Sequence, residues 1–63
     1  MAREDATIKV IIVDDVAETR ENIRKLLQFE SDIEIGGVAA TGREGIQLAR
    51  DTSPDVVIMD INM

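Results

Sequence analysis

The chain has 63 residues and a formal charge of −6, and it contains no cysteine, histidine, tryptophan or tyrosine. Its charge repels phosphate backbones, which argues against direct nucleic-acid binding by this segment. The missing residue types remove disulfides, thiolate zinc sites and the commonest remaining zinc ligand. A chain this short makes at most one small domain, which usually needs a disulfide, a metal or a partner subunit to supplement its core. With the first out of reach and zinc without its usual ligands, a partner subunit is the expected supplement.

No apolar run approaches the roughly 20 residues needed to cross a bilayer. The opening "MAREDAT" has no apolar stretch of the kind a signal peptide carries. The expectation is a soluble cytoplasmic protein with no membrane partner.

Residues 1–6 are charged, lack periodicity and read as a frayed tail. "IKVIIVD" is β-branched and almost wholly apolar, which predicts a strand over 8–14 covered on both faces. Asp15 stands three residues before Glu18, a helix-start pattern with a carboxylate able to cap. An amphipathic helix is predicted over 16–30, with Ile23, Leu26 and Leu27 as its buried side. Glu21 and Lys25 stand at i and i+4 in the favourable order.

"SD" at 31–32 breaks the helical pattern, and a second strand is predicted over 33–39. Within it, Gly36–Gly37 signals a bulge or a close backbone approach. Thr41 and Glu44 form a capping-box pattern, which opens a helix over 42–52 with Ile46, Leu48 and Ala49 on one side. Gly45 weakens that helix by up to about 1 kcal/mol. Thr52–Ser53–Pro54 ends it, because the residue before proline avoids the α region. "DVVIMDI" predicts a third strand over 55–61.

Strands separated by helices of this length imply parallel pairing through crossovers. The fold class is therefore α/β, a βαβαβ unit. In an open parallel sheet, ligands bind beyond the carboxyl ends of the strands. Asp14, Asp15 and Asp60 stand at such ends. If the first and third strands are neighbours, three carboxylates converge and need a cation or altered ionisation. A small, hard cation with oxygen ligands suits them, and Mg²⁺ binds through one or two carboxylates while keeping waters. The backbone carbonyl of Asn62 can add a further oxygen. A carboxylate nucleophile beside such a metal is the equipment of phosphoryl transfer.

Each acid also has a plainer role. Asp15 alone would serve as a helix cap, and Asp60 alone would end a strand. Glu21, Glu30 and Glu44 suit solvated helix faces, and Arg43 a surface. The Gly36–Gly37 pair is not a phosphate loop, since no glycine-rich turn with a lysine follows. It is "DD" after the first strand together with "D" after the third that favours the chemical reading.

In "KVIIVDD" and "SDIEIGGVAATGREGIQLARDTSPDVVIMDINM" the chain resembles the receiver domain of two-component response regulators. It looks most like the subgroup whose receiver precedes a helix-turn-helix DNA-binding domain. The resemblance runs from Ile8 to Met63. It implies a flavodoxin-like doubly wound sheet, of which this chain supplies strand order 2-1-3. It implies that Asp60 is the phosphoacceptor, served by a sensor histidine kinase. By the same resemblance Asp15, Asp60 and the Asn62 carbonyl ligate Mg²⁺, and Asp14 helps through a water or by charge. Val16 stands where relatives often carry a polar or aromatic residue.

The resemblance also implies departures. A receiver has five strands, with a switch Ser/Thr after the fourth and a phosphate-binding Lys after the fifth; neither falls within these 63 residues. Lys9, inside a strand, and Lys25, on a helix, are not placed to substitute. The expectation is half a receiver, residues 1–63, holding the metal and acceptor part of the site, with weak Mg²⁺ binding and little phosphotransfer of its own. Its third strand, 55–61, would be an apolar edge that recruits a second copy into a homodimer. The parent's role would be phosphorylation-controlled transcription. An inert self-assembling fragment is one competing reading. A small Mg²⁺-dependent phosphatase or hydrolase is another, but it needs a general acid two residues after the nucleophile, and Asn62 is a poor acid.

Overall fold

The computed structural model describes residues 7–60. The predicted tail at 1–6, together with Ile61, Asn62 and Met63, lies outside the described residues. The elements run β1 (Ile8–Asp14), α1 (Ala17–Leu27), β2 (Ile33–Ala39), α2 (Gly42–Thr52) and β3 (Val56–Asp60). The three strands form one parallel sheet in the order β2-β1-β3. This is the βαβαβ unit that the sequence pattern predicts, in the strand order of the flavodoxin-like half-sheet that the family resemblance implies.

β1 is central, and its side chains alternate between two covered faces. Ile11 and Val13 point to the α2 side, where they form a cluster with Ala39 against Leu48 and Ala49. Val10, Ile12 and Asp14 take the opposite face, and α1 packs against β1 and β2. All five residues from Val10 to Asp14 are buried. That explains a strand with no polar face: neither side of it meets water.

β2 pairs with β1 in one register from Ile33 to Ile35, and in another from Gly37 to Ala39. Gly36 is the extra residue between them, so the glycine pair does mark a bulge. The neighbouring glycine marks a close approach as well. A Cβ added to Gly37 would stand 2.9 Å from Leu48 Cδ1.

α2 begins at a working capping box. Thr41 Oγ1 accepts from the Glu44 N–H at 3.1 Å, and Glu44 Oε1 accepts from the Ala40 N–H at 3.0 Å. The helix ends on Ser53 in the left-handed region, φ 50°, whose N–H donates to the Ala49 carbonyl. Ile46 is exposed, not part of the packed side as the pattern suggested. Its place is taken by Gly45, which is buried: a Cβ there would stand 2.7 Å from Val13 Cγ2. The residue that weakens the helix locally is the one that lets it seat on the sheet.

α1 departs further from expectation. It spans Ala17–Leu27 rather than 16–30, and turns at Gln28 and Phe29 complete the segment. Its N-cap is Val16, with no side-chain cap bond, so Asp15 does not cap it. None of its residues is fully buried: Ile23 and Leu27 are half-covered, and Leu26 is 69% exposed. The helix lies across β1 and β2 with nothing on its far side among the described residues, so only a narrow stripe is shielded. Arg24 donates to Glu21 on the solvent face and holds the Glu21 carboxyl below the usual range. So exposed a pair adds little stability.

Lys9 ties the ends of the elements together. Its Nζ donates to the Thr52 carbonyl at the end of α2, at 3.2 Å. Its N–H donates to Asp55 Oδ2 at 2.9 Å, and its carbonyl accepts from the Asp55 N–H. Asp55 thus acts as a side-chain clamp before β3, which starts at Val56 rather than 55.

Replacing Gly45 by alanine forces its methyl into Val13, and overpacking of this kind costs about 1–3 kcal/mol. Nothing lies within 4 Å of a Cβ added at Gly42, so Gly42→Ala is expected to be neutral or stabilising by up to about 1 kcal/mol. Urea unfolding followed by circular dichroism measures both; equal midpoints for the two variants would contradict the packing account.

Candidate functional site

The parallel register of β1 and β3 pairs Val10 with Val56, and carries through to Asp14 beside Asp60. Register partners on adjacent parallel strands sit about 4.8 Å apart and project from the same face. Two carboxylates therefore stand side by side at the carboxyl edge of the sheet, on the α1 side. The sequence placed them near one another; the structure makes them neighbours.

The two acids live in different surroundings. Asp14 is 3% exposed, and its Oδ1 accepts from the Val16 N–H at 2.8 Å. That bond gives a buried carboxyl group a hydrogen-bond partner. Its backbone carbonyl accepts from Arg20 Nη1 at 2.7 Å. Asp60 is exposed, as is Asp15, which follows β1 as the chain bends toward α1. Asp14 thus takes the role of tying down the strand–helix junction that the pattern assigned to Asp15. Asp15 is left free of that duty, with its carboxylate open to solvent.

Asn62, predicted to lend its carbonyl, lies outside the described residues. Among the described residues no three acidic side chains are grouped to hold a metal ion, and no enclosed pocket forms. The edge is open, with Asp14 and Asp60 as register partners and a third acid one residue on. Such hard oxygen donors fit Mg²⁺, which takes one or two carboxylates and completes its shell with water and phosphate oxygens. They do not fit zinc, which prefers nitrogen or sulfur ligands.

Arg20 is the site neighbour that pattern reading missed. It lies at helical spacing in "VAETRENIRKLL", but nothing in the spacing says that its guanidinium turns back to the end of β1. Among the described residues no helix is long and apolar enough to cross a membrane.

The family model of the response regulator receiver domain matches residues 10–63. The chain belongs to that family. Among curated relatives of this receiver, it is 48% identical over 56 residues to protein-glutamate methylesterase/protein-glutamine glutaminase 2 of Carboxydothermus hydrogenoformans, covering 89% of this chain and 16% of that protein. It is 50% identical to the transcriptional regulatory protein BtsR of Escherichia coli K12, over 89% of this chain and 23% of the relative. The nitrate/nitrite response regulator protein homolog of Haemophilus influenzae is 39% identical, over 89% of this chain and 27% of its own length. The chain thus spans between 16% and 27% of these relatives. They include both a methylesterase and a transcriptional regulatory protein, so the helix-turn-helix subgroup is not singled out. No solved structure matches the chain.

Like charges directly opposite one another on adjacent strands are destabilising. Asp60→Asn is therefore expected to raise the metal-free melting temperature slightly and to abolish any stabilisation by Mg²⁺. Thermal melts with and without the metal test this; a variant still stabilised by Mg²⁺ would remove Asp60 from the site.

Proposed function

We propose that this receiver segment carries the acceptor and metal part of a phosphorylation site, with Asp60 as phosphoacceptor. An Asp60 carboxylate oxygen attacks phosphorus, and the bond from phosphorus to the donor group breaks. The donor is the phosphohistidine of a sensor kinase. Asp15, Asp60 and the Asn62 carbonyl would hold Mg²⁺, which would offset charge on the phosphoryl oxygens, and Asp14 would act through a water or by its charge. The observation that carries this reading is the register pairing of Asp14 with Asp60 at the carboxyl edge. The exposure of Asp60 and Asp15 beside the buried Asp14 supports it.

The switch Ser/Thr and the Lys that the family resemblance places after strands four and five are not among these 63 residues. The chain by itself therefore binds Mg²⁺ weakly and gains little phosphate. Control of transcription is the proposed role of the parent protein, in line with the printed name of the BtsR relative. No observation favours the hydrolase reading over this one.

Titrating Mg²⁺ into ¹⁵N-labelled chain is expected to move the amides of Asp14, Asp15, Val16 and Asp60 ahead of all others. An unselective response would overturn the site assignment. Acetyl phosphate with Mg²⁺, read by intact mass, is expected to leave the chain mostly unmodified. A stable adduct lost in Asp60→Asn would show that these residues suffice.

A second reading concerns assembly, and the exposure of β3 favours it. Val56 is 44% exposed, Val57 42% and Met59 52%, and the outer edge of β3 has no strand beside it among the described residues. Unpaired apolar edges recruit further strands. The 63-residue chain is proposed to pair β3 with β3 of a second copy about a two-fold axis. Antiparallel pairing gives a six-stranded sheet ordered 2-1-3-3′-1′-2′, with the acidic edges at opposite ends.

Val57→Lys is expected to dissociate and unfold this assembly in one transition, seen by sedimentation and circular dichroism. A variant that stays folded with single-chain mass would refute the pairing.

A further inference from the structure

Asp15 is exposed and makes no side-chain hydrogen bond with the other described residues, yet the backbone on both sides of it is held. Arg20 Nη1 donates to the Asp14 carbonyl at 2.7 Å. That carbonyl belongs to the peptide unit joining Asp14 to Asp15, and a peptide unit is planar, so fixing one atom of it constrains the plane. Asp14 Oδ1 accepts from the Val16 N–H at 2.8 Å. That N–H belongs to the peptide unit joining Asp15 to Val16. The two soft torsions of Asp15 lie between two pinned planes. Its Cβ direction is set although its own side chain is untethered.

Arg20 is itself anchored. It is half-buried on α1, and its backbone N–H donates to the Val16 carbonyl at 3.1 Å, closing the first turn of the helix. The guanidinium therefore connects the start of α1 to the end of β1. Its other donors make no bond to the other described residues, and no described carboxylate pairs with it.

We propose that Arg20 is a positioning residue for metal binding: through the Asp14 carbonyl it aims the Asp15 carboxylate at the edge shared with Asp60. The inference rests on the acceptor-site reading above and adds the residue that orients a ligand. Two effects of losing Arg20 have opposite signs. Removing a cation beside three acids strengthens Mg²⁺ binding by simple electrostatics. Removing the support of a ligand weakens it, commonly by about tenfold or more. If Arg20 positions, the second effect wins.

The test compares wild type, Arg20→Met and Arg24→Met. Arg20→Met keeps the stem and drops the guanidinium. Arg24→Met drops a guanidinium that faces solvent on the same helix. Mg²⁺ alone is titrated and followed by ¹⁵N and carbonyl ¹³C NMR, with melting temperature as the check on folding. In metal-free Arg20→Met the Asp14 carbonyl resonance is expected to shift upfield, and the Mg²⁺ dissociation constant to rise about tenfold. Arg24→Met is expected to leave both unchanged. Arg20→Met binding Mg²⁺ as tightly as wild type, or more tightly, overturns the positioning role and leaves the acceptor site standing. If wild type itself shows no selective Mg²⁺ response, the acceptor-site reading fails and this inference fails with it. Should Arg20→Met unfold, Arg20→Lys replaces it, with the same Asp14 shift and affinity as readouts. Lysine keeps the charge but has a compact head in place of the planar fork. Weaker binding by Arg20→Lys supports positioning, and unchanged binding refutes it.

Discussion

The structure depends on the burial of one strand from both sides. Ile11, Ile12 and Val13 have no exposed surface, and they are the largest side chains fully removed from water. A strand that neither face can expose must take helices on both sides and a strand on either flank. Those demands fix the parallel order β2-β1-β3 and the two registers. The acidic edge is a by-product of the same constraint. Once Val10 sits beside Val56, continuing the pairing brings Asp14 beside Asp60. The acidic pair stands where it does because the register is already set four residues back, where the buried Val10 lies beside Val56.

The two helices meet that demand unequally. α2 comes close, because Gly45 and Gly37 remove the side chains that would hold it off Val13 and Leu48. It is also capped at its start and held at its end by Lys9. α1 has no side-chain cap and no fully buried residue. Beside the half-covered Ile23 and Leu27 it has a polar tie to the sheet, from Arg20 to the end of β1. The helix beside the acidic edge is therefore the less firmly packed one. Its seating is coupled to the backbone of the site residues.

Much of this was legible in the chain. The β-α-β-α-β order, the parallel pairing, the capping box at Thr41 and the special role of Gly36–Gly37 all follow from local signals, whereas the 2-1-3 order came from the family resemblance. Such signals are strong where the physics is local: a strand apolar at every position, a Thr three residues before a Glu, a proline after a helix. What failed was long-range. Leu26 falls on the apolar stripe of α1, but stripe membership does not say how much of the stripe is covered. Ile46 was favoured as core over Gly45 because periodicity counts hydrophobic residues, whereas close helix–sheet contact rewards the absence of a side chain. Asp15 matched a cap by spacing, yet the bond to the junction came from Asp14, whose burial no spacing reveals. Of the site, the acids were found by type and position. Arg20 was not, since its bond spans the strand–helix junction and depends on how α1 turns back.

The bulge in β2 sets how the two faces of the sheet are filled. Before it, Ile33 and Ile35 share a face with Val10; after it, Gly37 and Ala39 share a face with Ile11 and Val13. Strict alternation would have sent all four to one side. The inserted residue divides them, so bulky side chains lie under the loosely seated helix and minimal ones under the tightly seated helix. It also gives the strand one forgiving locus. Loss of one residue at the bulge would leave ordinary ladder pairing with the faces beyond it unchanged, whereas a loss within β3, whose register has no shift, would turn everything beyond it inside out.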